Sequence, residues 1–382
     1  MLHTPATRCR VCKHAFFSEL LLKYENMPAV AQHMPDELSL ANDRGVKLEV
    51  CQCSGCGLVQ LNNAPVPYFR EVIRASAISE EMSSFRQSQF RSFCEKFDLF
   101  GKRVIEIGCG RGEFLSLMRH VGMDAYGLEY GELSVARCVD AGLKVRMGFL
   151  EDAACRLDHA PFDAFFLLNF LEHLPDPNGT LSGVLNNLSE KAAGLIEVPN
   201  FDMILRKNLF TEFIGDHLLY FTKDTLVTTL QANGFDIIEC AEVWHDYIIS
   251  ATVRKRKRLD LSRFRDSRER LKEEISDYIC RYGENKVAIW GAGHQALAAI
   301  ALTDLSGKIK YVIDSAPFKQ GKFTPATHIP IVAPEMLNLD PVVAVIVMAA
   351  SYSDEVVGIL KQRHGGKMDI AVLTDCGLKI VR

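Results

Sequence analysis

Two pairs of cysteines, Cys9-x-x-Cys12 and Cys53-x-x-Cys56, have the spacing that folds a tight turn and points two thiolates at one tetrahedral ion. Gly55 and Gly57 relieve crowding around the second turn. Cys51 is a fifth thiol nearby, but its offset from Cys53 suits a strand position better than the knuckle. Five of the chain's 12 cysteines fall within its first 56 residues, a clustering that points to metal rather than to disulfides. Four thiolates close the coordination sphere of zinc, so a structural Zn2+ bound by Cys9, Cys12, Cys53 and Cys56 is expected, with no position left for a substrate.

A second constellation is the run VIEIGCGRGEFL from Val104 to Leu115: an apolar strand, an acid, a G-x-G-x-G turn and the start of a helix. Gly108, Gly110 and Gly112 let the backbone turn sharply and let a ligand lie against it. A dinucleotide would place its pyrophosphate there, at the positive end of the helix, and Glu106 would oppose that charge. S-adenosylmethionine carries a sulfonium and an ammonium and no phosphate, so the same acid favours it. Glu129 ends the next strand, where an acid accepts hydrogen bonds from ribose hydroxyls. Phe149, Leu150 and Glu151 follow the third strand and can edge an adenine. Asn169 and His173, in the stretch from Asn169 to Pro177, follow the fourth; His173 reads equally as a packing residue at a helix start or as a donor contact.

The elements that must position these residues are legible as alternation. Arg103-Ile107, Asp124-Leu128, Ala164-Leu168 and Gly194-Val198 are strand candidates separated by helical stretches, which predicts βαβ units and a mainly parallel sheet. A second alternation runs through Lys286-Trp290, Lys310-Ile313, Val343-Met348 and Ile370-Leu373. Three segments follow: a zinc-binding module over 1–67, closed by Pro65 and Pro67; a donor-binding domain over 68–253; and a charged helical connector with a second α/β domain over 254–382. Hydrophobic residues make up 48% of the sequence and charged ones 24%, with no apolar run long enough to cross a bilayer and no secretory signal. A cytoplasmic protein is expected. The net charge of −4 advertises no nucleic-acid partner; the basic run Arg254 to Arg258 is the one local exception, and a solvated connector face explains it.

The series EIGCGRG, acid, N-x-L-E-H-L-P resembles the class I, Rossmann-like methyltransferases. The whole order resembles, more narrowly, the nucleotide-sugar C-methyltransferases of deoxysugar pathways. That likeness is carried by Cys53-x-x-Cys56-Gly-Leu-Val-Gln-Leu61, the glycine turn, Glu197-Val-Pro199-Asn200, Asp216-His217-Leu-Leu-Tyr220-Phe221, and the stretch from Asp314 through Lys319 to Pro330. In this family a Y-x-E-H-x-x-Y/F-F motif faces the substrate and its histidine is the favoured base. The resemblance therefore implies a nucleotide-sugar partner, His217 as base, Asp216 beside it as an orienting acid, and Tyr220 as a donor to the developing oxyanion. Ile214 stands where the family has its first tyrosine. The chemistry implied is deprotonation beside the ketone of a keto-deoxysugar, followed by in-line attack of the enolate on the methyl group.

The second glycine turn, Gly291-Ala-Gly293-His294-Gln-Ala296, also follows a strand and opens a helix, and Asp314 lies near the spacing at which an acid binds the ribose of NAD. No acid precedes these glycines, so phosphate is allowed. A redox cofactor and a role in enclosing the nucleotide-sugar both remain open here. Two other function classes stay beside C-methylation: O- or N-methylation of another acceptor such as RNA, and a non-catalytic zinc- and donor-binding protein. The two-domain plan needs no second copy to complete a site, and a monomer is expected.

Overall fold

The computed structural model describes residues 4–31, 34–71 and 78–381. The chain divides into two compact units, Met1–Lys257 and Arg258–Arg382. The strands of the first, in chain order, are Leu22–Met27 (β1), Val46–Gln52 (β2), Val59–Leu61 (β3), Arg103–Ile107 (β4), Asp124–Glu129 (β5), Lys144–Met147 (β6), Phe162–Leu168 (β7), Leu188–Pro199 (β8), Leu219–Tyr220 (β9), Phe235–Val243 (β10) and Ile248–Lys255 (β11). Its helices are Glu80–Phe97 (α1), Glu113–Val121 (α2), Glu132–Asp140 (α3), Pro177–Asn186 (α4), Phe201–Lys207 (α5) and Lys223–Ala232 (α6).

Seven strands form one sheet in the order β10-β11-β8-β7-β4-β5-β6, parallel from β8 to β6, with β10 and β11 antiparallel at one edge. β7 reads FDAFFLL with almost no polar residue because it is central and covered on both faces. Gly194 of β8 is required by that packing: a Cβ there would stand 2.1 Å from the Phe165 ring. The chain leaves β4 toward β5 and β6, then returns to β7 on its other side, so the crevice between β4 and β7 is a topological switch point at the carboxyl ends of the strands. Val104, Phe166 and Leu195 project to the face packed by Phe90 and Phe93 of α1 and by Phe114 and Leu115 of α2.

The cysteine-bearing segment is built into this unit. β1, β2 and β3 form a four-stranded sheet whose last member is β9, from the far side of the donor-binding region. Cys9, Cys53 and Leu58 belong to the same apolar core as Ile107, Phe165 and Phe221. The basic run, expected as connector, begins inside β11; Lys255 donates to the Leu188 carbonyl and Arg256 pairs with Asp236, so the run is partly sheet edge.

The second unit has a six-stranded sheet ordered β14-β13-β12-β15-β16-β17, formed by Val287–Trp290 (β12), Val312–Ile313 (β13), Ile331–Val332 (β14), Ala344–Val347 (β15), Asp369–Thr374 (β16) and Gly377–Val381 (β17). All pairings are parallel except the last. Ser262–Cys280 (α7), His294–Leu302 (α8), Met336–Leu339 (α9) and Ser353–His364 (α10) complete it. Ile275 and Tyr278 of α7 bury against Val287, Ile289 and Ile346, which explains why a helix this charged is stable: one apolar stripe is enough.

Candidate functional site

At the amino end, the four sulfur atoms of Cys9, Cys12, Cys53 and Cys56 all lie within 4.8 Å of one another. Cys9 and Cys56 sulfurs are 3.7 Å apart and those of Cys12 and Cys53 3.2 Å. Zinc bonded to sulfur at about 2.3 Å needs tetrahedral edges of about 3.8 Å, so the donor set fits that ion with small adjustment. Outer partners are in place: the Gln60 amide donates to the Cys9 sulfur at 3.3 Å, and the Gly55 amide to that of Cys53 at 3.3 Å. Cys51 lies in β2 and takes no part.

At the switch point, Gly108, Gly110 and Gly112 have φ of 71°, 56° and 84°, the left-handed region that favours glycine. Gly112 is doubly constrained, since a Cβ would stand 2.4 Å from Leu143. Glu129 holds the turn: its carboxylate accepts from the Gly110 amide at 2.9 Å and the Gly131 amide at 2.8 Å. Glu106 and Glu129 are both buried, and carboxylates sunk in a crevice favour a ligand that brings positive charge. Asn169 is left-handed, with φ 51°; its amide donates to the Glu197 carbonyl, and its side-chain oxygen is buried without a partner. Glu151 is exposed and paired with Arg70 at 2.8 Å, whose guanidinium lies over Phe69 and Phe149.

Beyond Asn169, two loops are laced together. The Leu218 amide donates to the Glu172 carbonyl at 2.8 Å, and His173 Nδ1 meets the Asp216 carbonyl at 2.8 Å. That carbonyl can only accept, so Nδ1 carries the proton and Nε2 is the basic nitrogen. The His173 and His217 rings meet edge to face, 4.7 Å between centroids, and a Glu172 carboxyl oxygen lies 3.8 Å from His173 Nε2. Burial pushes Glu172 up to about 8 and lowers His173; it holds His217 well below the usual histidine range, with His173 adding to the effect. At neutral pH the trio is thus uncharged: two imidazoles able to accept a proton beside a carboxyl that still holds its own.

Two expected roles change. The Asp216 carboxylate accepts from the Tyr68 hydroxyl at 2.7 Å and the Ala31 amide at 3.1 Å, within the turn that the His217 amide closes on the Ile214 carbonyl. Its carbonyl, not its acid, does the orienting, and on His173. The Tyr220 hydroxyl closes on Ile214, accepting from its amide at 3.1 Å and donating to its carbonyl at 3.3 Å, so it braces the turn carrying His217 rather than facing an acceptor. Glu172 and Tyr68 escaped sequence reasoning. The glutamate beside His173 was the one available signal; nothing local marks Tyr68.

In the second unit, Gly291 has φ 120°, and a Cβ would stand 2.5 Å from the Met348 carbonyl. Asp314 accepts from the Ala292 amide at 2.9 Å, the Ala316 amide at 2.9 Å and the Lys319 ammonium at 2.8 Å. The position that would bind ribose is therefore occupied by the chain's own donors.

Residues 75–240 match a methyltransferase domain, and residues 253–372 match a C-methyltransferase C-terminal domain. The C-methyltransferase NovU of Streptomyces niveus is 23% identical, over 96% of this chain and 96% of its own length. A ubiquinone biosynthesis O-methyltransferase of Marinobacter nauticus is 38% identical over 22% of this chain and 38% of its own length. Among solved structures, an S-adenosylmethionine-dependent methyltransferase from Mesorhizobium loti covers 41% of this chain and 92% of its own at 19% identity, with a TM-score of 0.35. Among the described residues, no helix is long and apolar enough to cross a membrane.

Proposed function

We propose that the acceptor of this S-adenosylmethionine-dependent C-methyltransferase is a nucleotide-linked keto-deoxysugar, methylated on a carbon beside its ketone. The similarity to the C-methyltransferase NovU over 96% of this chain supports transfer to carbon, and the motif residues around His217 support the acceptor class. The observation that carries the chemistry is the half-buried pair His173 and His217, whose rings meet edge to face and whose imidazolium forms are disfavoured.

S-adenosylmethionine, when bound, supplies an electrophilic methyl group. Glu106, Gly108, Gly110, Gly112 and Glu129 would hold it, with Asn169 offering an unused acceptor at the rim. His217 takes the proton from the carbon next to the carbonyl; the electron pair of that C–H bond becomes the enolate, with its charge on oxygen. Burial disfavours the imidazolium by itself, but an enolate formed beside it is an opposite charge, so each stabilises the other. His173, fixed by the Asp216 carbonyl, holds the edge of the His217 ring. Tyr220 keeps the Ile214–His217 turn in register. Cys9, Cys12, Cys53 and Cys56 would hold one structural zinc.

The test uses heavy water. With a keto-deoxysugar nucleotide, the parent should exchange the acidic C–H for deuterium and then methylate. His217→Ala should suppress both by about 10²–10⁴-fold, the worth of a general base, while donor binding stays close to the parent. Methylation that persists without exchange would assign the enzyme to a hydroxyl or nitrogen acceptor instead.

A further inference from the structure

The described residues hold a second group of ligating side chains, and it contains no sulfur. Glu172, His173 and His217 can each offer one donor atom, and the three atoms all lie within 4.8 Å of one another. Glu172 and His173 are neighbours on the turn Leu171–His173, and His217 comes from the loop that leads into β9. The two loops are pinned by the Leu218 amide on the Glu172 carbonyl and by His173 Nδ1 on the Asp216 carbonyl, each at 2.8 Å. The donors are therefore gathered before any ligand arrives.

The surroundings of each donor favour an ion. Glu172 Oε1 lies 3.8 Å from His173 Nε2, and Glu172 Oε2 is buried with no hydrogen-bond partner. A carboxyl oxygen shut away from water is costly unless a donor or a cation completes it. A histidine that ligates a metal almost always gives its other N–H to a carbonyl or a carboxylate; the Asp216 carbonyl does this at Nδ1 and leaves the Nε2 lone pair on the side of Glu172. His217 is half-buried and the His173 side chain is 27% exposed, so an ion in solution can reach the group. Zinc bonds nitrogen and oxygen at about 2.0–2.2 Å, which sets donor separations of about 3.4 Å, so the three atoms need draw in by no more than about 1.4 Å. Two imidazoles and one carboxylate select a borderline ion over magnesium or calcium, which take oxygen ligands. Unlike the closed cysteine set, three protein ligands leave a position open.

We propose that Glu172, His173 and His217 form a second, exchangeable metal site for a borderline divalent cation of the Zn2+, Co2+ or Ni2+ kind. As the ion binds, the Glu172 carboxyl gives up its proton to water and both imidazoles turn their lone pairs to the metal. A neutral imidazole has one lone pair, so a ligating His217 has none left for a proton, and the loaded site is an inhibited one. The site stands on its own geometry; the inhibition rests on the proposed role of His217 as base.

Cobalt(II) added to the zinc-loaded full chain tests it by absorption. An ion on nitrogen and oxygen gives weak visible bands alone, whereas an ion on the cysteines adds intense near-ultraviolet charge transfer from sulfur, so the two sites read separately. The parent should take up one cobalt per chain without the charge-transfer band; zinc should displace it and excess magnesium should not. Glu172→Gln keeps the shape of the side chain and His217→Ala empties one position. Each removes a ligand and should weaken cobalt by more than about 100-fold, since even changes behind the ligands cost about 10–100-fold. A parent that gains no visible bands, or a Glu172→Gln variant with parental circular dichroism that binds cobalt as tightly as the parent, overturns the site, and displacement by magnesium overturns the choice of ion. With a keto-deoxysugar nucleotide in heavy water, saturating cobalt should suppress deuterium exchange by at least about tenfold. Undiminished exchange with the site full would remove the base role from His217 and leave the metal site standing.

Discussion

At the scale of single residues, Glu172 makes the most exposed claim, because its proton has a thermodynamic signature. Its ordinary value is 4.5, and burial pushes it up to about 8. Between those values the folded chain keeps a proton that the unfolded chain has released, so stability should fall as pH rises. His173 and His217 are displaced the other way: below about 6.5 the unfolded chain takes up protons that the folded one refuses, and stability falls as pH drops. From about 6.5 to about 8 only Glu172 of this cluster acts, with a slope of up to about 1.4 kcal/mol per pH unit. Glu172→Gln should flatten that decline, as read from urea midpoints across the window. An unchanged slope would show that Glu172 is already ionised.

At the scale of elements, Gly194→Ala separates packing from chemistry. The added methyl would meet the Phe165 ring at the centre of the sheet, where neither strand can yield, and overpacking of this kind costs about 1–3 kcal/mol. Thermal unfolding should shift down, and an unshifted midpoint would mean that β7 and β8 can move apart. The elements were also where sequence was most informative. The alternation of apolar strands with helices located β4, β5, β7 and β8, because a buried parallel strand must be apolar throughout. The glycine turn was legible for the same kind of reason: left-handed backbone at Gly108, Gly110 and Gly112 admits little else. What stayed hidden was pairing at a distance. Nothing around Arg86, in a helix whose other residues are mostly polar, reveals a buried guanidinium, since burial there is decided by Glu197, far along the chain. The directions of the Asp216 and Tyr220 side chains were equally illegible, being set by Tyr68, Ala31 and the Ile214 backbone.

At the scale of the whole molecule, metal removal should act on the first unit alone. A strong chelator at elevated temperature should lower the unfolding transition of Met1–Lys257 and leave that of Arg258–Arg382 in place, because the four cysteines all lie in the first. A single unshifted transition would deny the ion a structural role. The strand β9 gives that result a further meaning. It begins two residues after His217 and is hydrogen-bonded to β3, which follows directly from the second cysteine knuckle. The cysteine turn and the base proposed above are thus joined by a short run of paired strand. Metal occupancy would then work as a throttle on turnover: as zinc is withdrawn, kcat should fall ahead of any rise in the Kd for S-adenosylhomocysteine, and titrating the two together would separate a throttle from a general loss of fold.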